Sequence, residues 1–136
     1  MSTWRRKAQE LYPPLAGQLE TWERTEWNFA FSKILSNAVV SEDVVALAEG
    51  VRYLQWCWTQ HTADEQSVYF VETTLRHLLE RPADRAAFCR VADDRTFAAV
   101  LAMYSHFHEK REVVEFEREY RFSHRPNNSL ERTRGR

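Results

Sequence analysis

The sequence predicts an all-α fold, a single-domain bundle of five to six helices over residues 1–122 followed by a disordered basic tail over 123–136. Three observations predict it. Apolar residues recur every three or four positions in one segment after another, which is the spacing that lines up one face of a helix. Only three glycines and four prolines occur in 136 residues, too few for the turns that a sandwich or barrel needs about every eight to twelve residues. An apolar fraction of 43% with five tryptophans marks a chain with a ring-rich core, and a chain of this length folds without a staple.

The elements follow in order. Trp4, Ala8 and Leu11 share a helical face, and Pro13-Pro14 ends the short helix they define. Leu15 to Arg24 is ambiguous, because Gly17 and the prolines oppose the spacing of Leu15, Leu19 and Trp22. Trp27, Phe31, Ile34, Leu35 and Ala38 set a helix over Thr25–Val40. Ser41 is then a candidate N-cap for a helix over Glu42–Gln60, whose apolar arc widens to include Tyr53, Trp56 and Cys57. Gly50 within it either weakens the helix or permits a close helix approach.

Asp64 to Pro82, DEQSVYFVETTLRHLLERP, is expected to be the element around which the others pack. Its stripe of Val68, Val71, Leu75, Leu78 and Leu79 is regular, and Glu72 falls within that stripe, so the pattern brings one carboxylate toward the interior. A brief helix is expected over Ala83–Val91, with Ala86, Ala87 and Val91 or Phe88 inward. A last helix begins near Asp93-Asp94 with a stripe through Phe97, Val100, Leu101, Tyr104, Phe107 and His108. Its continuation, EKREVVEFEREYRF, either projects or folds back. Similar helices in succession leave a HEAT-like stacking open.

Several function classes are set aside by composition. Residues 1–122 carry fifteen Lys and Arg against nineteen Asp and Glu, a net of −4, while residues 123–136 carry four Arg against Glu131. A mildly acidic body without a basic stripe argues against nucleic acid as the partner. No apolar run reaches the length of a membrane span and the N-terminus lacks an apolar leader core, so a cytoplasmic location is expected. Cys57 and Cys89 form neither a disulfide framework nor a zinc pattern and are expected as reduced core thiols. Phosphate loops, nucleophile elbows and HExxH are absent, and neither a cofactor nor a metal is expected.

The candidate binding residues are Glu72, Arg76, Trp56, Trp58 and His108. Glu72 on an apolar stripe either pairs with Arg76 one turn on, at the border of the core, or serves a binding role. His106 and His108 lie on different faces of a helix and cannot chelate one metal together; His108 is expected as a hydrogen-bonded histidine on the apolar face. Trp56, Trp58 and Tyr53, with Trp22 and Trp27, either fill the core or form a contact surface. The acidic residues Glu42, Asp43, Glu49, Asp64, Glu65, Asp93 and Asp94 are a solvated face or a docking surface for a basic partner.

The succession LYPPL, WNFAFSKIL, VVALAEGVRYL and DEQSVYFVETTLRHLLE, over Trp4–Arg81, resembles a family of small bacterial helical domains of unknown function. In that family a hydrophobic stretch is followed by a Glu and a Leu, where Phe70-Val71-Glu72 and Leu75 stand here. Such domains look similar to immunity proteins, which neutralise a toxin by binding it. The family itself implies no established activity; the reading favoured here is a non-enzymatic domain that acts by binding another protein. The alternatives are a small-molecule binder or enzyme with an interhelical site built on Glu72, His108 and the tryptophans, and a homodimer formed through the last helix.

Overall fold

The computed structural model describes residues 6–7, 10, 24–59 and 65–124. Six helices account for nearly all of residues 24–124 that are described: α1 (Arg24–Val40), α2 (Val44–Thr59), α3 (Glu65–Leu79), α4 (Pro82–Val91), α5 (Asp94–Phe107) and α6 (Lys110–Ser123). No strand occurs among the described residues. Of the expected opening helix, Arg6, Lys7 and Glu10 are described and are helical. The ambiguous segment before Arg24 and the tail beyond His124 lie outside the described residues.

The expected central element is α3, which packs against α1, α2, α4 and α5. Phe70, Val71, Leu75, Leu78 and Leu79 are buried on it, so the recurring apolar face read from the sequence is the face that meets those four neighbours. Around it, Phe31 of α1 lies edge-on to Tyr53 of α2 at 5.4 Å and tilted against Phe70 at 5.4 Å. Gly50 lets α1 and α2 approach closely: a Cβ there would stand 2.4 Å from Leu35 Cδ2, and Leu35 is fully buried. The contact of α2 with α5 closes the bundle, whereas a solenoid would join each helix pair only to its neighbours.

The α1–α2 turn corrects one expected cap. Asp43 N–H donates to the Ala38 carbonyl at 2.9 Å and Glu42 N–H to the Val39 carbonyl at 3.1 Å, the pair of bonds that ends a helix in a Schellman motif. Asp43 rather than Ser41 then caps α2, its Oδ1 accepting from Ala46 N–H at 3.0 Å. The motif places Glu42 at φ 55°, a left-handed position that costs a residue with a Cβ about 1 kcal/mol or more and that glycine fills freely. Glu42→Gly is therefore expected to raise stability by about 0.5–1 kcal/mol. A urea midpoint unchanged or lowered would contradict this reading of the turn.

The second half of the chain is fixed by caps and rings. Pro82 opens α4 at its first turn and holds Arg81 extended. Asp93 Oδ1 accepts from Thr96 N–H at 2.8 Å and caps α5; those hydrogen bonds hold its carboxyl below the usual range. The expected single last helix is instead two. The chain breaks at His108, whose extended backbone (φ −131°, ψ 158°) ends α5, and Glu112 accepts from Glu109 N–H at 3.0 Å to start α6. The continuation therefore folds back over α4 and α5.

Phe116 of α6 is fully buried, with its ring 5.0 Å from Phe97, 4.7 Å from Tyr104 and 6.2 Å from Phe88. Tyr120 stacks on Phe97 at 3.9 Å, and its hydroxyl donates to Asp94 Oδ1 at 2.5 Å. Ser123, expected in the tail, closes α6. His124, also expected there, donates from Nε2 to the Cys89 carbonyl at 2.6 Å. On α4, Ala86 and Ala87 are only half-buried; Phe88, Cys89 and Val91 are the inward residues.

Both cysteines are free and buried, as expected. Burial and the nearby Glu119 push the Cys89 thiol up to about 12. Tyr104, by burial, and Tyr120, by burial and by its bond to Asp94, are also raised. A group raised in the folded state stabilises below its unfolded pKa and loses that contribution as pH climbs through the folded value. All three groups lie in α4–α6, so this half is expected to weaken from about pH 9 upward, at first by about 1 kcal/mol per pH unit. Urea unfolding under reductant from pH 7 to 11 measures it; a flat profile would contradict it.

Candidate functional site

A cleft of about 320 Å³ lies between α3, α4, the end of α5 and the start of α6. Leu75, Leu79 and Phe107 form its apolar side, and Tyr104 and His108 add a stacked pair of rings with centroids 3.7 Å apart and planes within 9°. His108 Nδ1–H donates to the Tyr104 carbonyl at 3.0 Å. That bond satisfies a carbonyl left open where α5 ends and leaves Nε2 as the acceptor of the neutral ring.

Glu72, Arg76, Glu80, Arg85 and Glu112 supply the charge of the cleft. Arg76 Nη2 meets Glu72 Oε2 at 3.4 Å. Arg85 Nε donates to Glu119 Oε1 at 2.9 Å, joining α4 to α6, and its Nη1 donates to the Leu79 carbonyl at 3.4 Å near the end of α3. Both guanidiniums are thus committed to partners within the chain.

Three of the five candidate residues, Glu72, Arg76 and His108, meet in this cleft. Glu72 does not enter the interior as the stripe implied: its side chain is 42% exposed and Arg76 57% exposed. The helical turn that aligns Glu72 with Val68 and Leu75 places it at the edge of the buried arc, where water solvates the charge. Such an exposed i,i+4 pair contributes roughly 0.2–0.5 kcal/mol. Glu72→Ala is accordingly expected to change stability by less than about 0.5 kcal/mol in chemical denaturation; a loss above about 2 kcal/mol would restore the buried-acid reading.

Trp56 and Trp58 are not brought to the cleft. Trp56 stacks on Tyr53 at 6.1 Å with Lys7 Nζ 5.9 Å from its ring, and Trp58 stands edge-on to His106 and Phe107 at 4.7 and 5.5 Å. Both are half-buried. Trp22 and the Trp27 side chain lie outside the described residues. Of the acidic face, Asp43 and Asp93 cap α2 and α5 and Asp94 accepts from Tyr120, all three still exposed, and Glu42 is exposed at the α1–α2 turn.

That turn carries a feature the spacing did not suggest. Val40, Val44 and Val45 are 82%, 42% and 69% exposed on either side of Glu42 and Asp43, which makes a corner of apolar side chains around two carboxylates. Arg85, Glu80 and Glu112 were also not singled out from the sequence. Arg85 has its carboxylate partner 34 residues away, and no local pattern carries that information.

Among the described residues, no group of three His, Cys, Asp or Glu could hold a metal ion, and no helix is long and apolar enough to cross a membrane. No family model matches the chain, and no curated protein or solved structure matches it.

Proposed function

We propose that this chain is a non-enzymatic protein-binding domain of immunity-like type, which acts in the cytoplasm by docking a basic partner. The observation that carries the reading is the α1–α2 corner, where three exposed valines surround Glu42 and Asp43. Exposed aliphatic side chains gain from burial against a partner, and the carboxylates favour a positive one. Glu42 also holds a left-handed position at which glycine would be more stable. Retaining a carboxylate there fits a residue kept for contact. The net −4 of residues 1–122 adds a long-range pull on a basic partner.

The test pairs the protein with the products of genes neighbouring its own, a secreted toxin above all. A one-to-one complex in sedimentation is expected, weakened about tenfold or more by Val45→Asp or Glu42→Arg. An affinity indifferent to both substitutions would remove the corner from the interface. A second reading, a small-molecule site, is favoured by the meeting of Glu72 and His108 in one cleft.

A further inference from the structure

We propose that the cleft between α3, α5 and the start of α6 is a seat for an arginine side chain carried by the partner protein. The inference rests on the docking reading only in that the cation arrives on another chain. The recognition itself follows from the lining of the cleft.

Acceptors are in surplus there. Glu72 holds Arg76, and Arg85 is held by Glu119 and the Leu79 carbonyl. Glu80 and Glu112 also line the cleft and form no ion pair among the described residues. Glu112 accepts one backbone bond, from Glu109, and a carboxylate has room for more. In its neutral form His108, with its Nδ1–H spent on the Tyr104 carbonyl, adds an Nε2 lone pair. A group that fits must therefore bring donors and positive charge. An anion would face Glu80 and Glu112 and is disfavoured.

Size and shape narrow the choice further. About 320 Å³ is at the lower end of ligand clefts and suits one long side chain, while a nucleotide would be both too large and of the wrong sign. Phe107, with the edges of the nearly buried Leu75 and Leu79, offers apolar surface to an aliphatic stem, and the half-buried His108 ring, backed on its other face by Tyr104, is a flat partner for a planar head. A guanidinium carries five donors in one plane and stacks on rings, whereas an ammonium is a strongly hydrated point charge. Arginine matches the two carboxylates left without an ion pair, the apolar wall and the exposed ring face.

The cleft can be tested without the partner. N-acetyl-arginine amide titrated into the full chain is expected to shift the Leu75 and Leu79 methyl resonances saturably, with a dissociation constant in the millimolar range, as for one small group. N-acetyl-citrulline amide has the same shape without the charge and should bind at least about fivefold more weakly. Glu80→Gln/Glu112→Gln should weaken the arginine probe by a similar factor with little change in melting temperature, because glutamine at 112 still accepts the Glu109 bond.

Equal binding of the two probes, unchanged binding in the double variant, or no saturable shift would each overturn the proposal. Replacing Arg125, Arg132, Arg134 and Arg136 by Gln should leave probe affinity unchanged. A gain of about tenfold or more would assign the cleft to the chain's own C-terminal arginines and overturn the partner assignment. Failure in any of these arms leaves the α1–α2 corner to its own substitutions, so the two readings fall separately.

Discussion

Phe116→Ala is expected to lower the free energy of unfolding by about 3–5 kcal/mol, the range for removing a fully buried aromatic ring. Phe116 is fully buried, and its ring neighbours come from two other helices, Phe88 on α4 and Phe97 and Tyr104 on α5. Truncation leaves a cavity that these rings cannot fill without moving helices that are capped and tied elsewhere, α5 by Asp93 and α6 by Tyr120 and His124. Domains of this size are commonly stable by only about 5–15 kcal/mol, so the variant should unfold at a much lower urea concentration with a similar slope. A change below about 1 kcal/mol would mean that α6 does not belong to the folded unit.

Phe31→Ala is expected to cost a similar amount, about 3–5 kcal/mol, through the other end of the core. Phe31 is fully buried between Tyr53 of α2 and Phe70 of α3, so its ring is where the first three helices meet. Leu35, one turn on, is fixed by its close approach to Gly50, which limits how far α1 can settle into the space. Tyr53 in turn stacks on Trp56, and near-ultraviolet circular dichroism should register the loss of that ring environment alongside the shift in the urea midpoint. A near-native midpoint would show that α1 is held by contacts other than these.

Much of this architecture was legible in the sequence because its signals are local. Spacing alone located α1–α5 to within a few residues, and the apolar face of α3 named its neighbours' contact surface before any coordinate. The break at His108 was not legible. Glu109, Lys110 and Arg111 all favour helix, and the interruption is set by tertiary packing of the Tyr104 and His108 pair and by the return of α6 onto α4. The apolar line of the last helix divides in a way spacing did not show: Phe116 and Tyr120 are buried within the chain, whereas Val114 and Phe122 are left exposed.

The candidate site was half legible. Glu72 and Arg76 announce themselves by i,i+4 spacing and His108 by its place on an apolar line, yet periodicity says which face a residue occupies and not how far that face extends. Glu72 consequently looked interior when it stands at a rim. Thr73 and Thr74 show the same limit from the other side: both are polar, and both are buried on α3, with Thr74 Oγ1 lacking a hydrogen-bond partner among the described residues. Arg85 and Glu119, far apart in the chain, became a pair only through the fold.

α3 is the helix that the others enclose, and native-state hydrogen exchange tests this most directly. The amides of Phe70 through Leu79 are expected to be among the slowest in the chain and to exchange only through global unfolding, with a free energy equal to that from urea denaturation. Exchange of that stretch by local opening, faster than the amides of α2 or α5, would contradict the account.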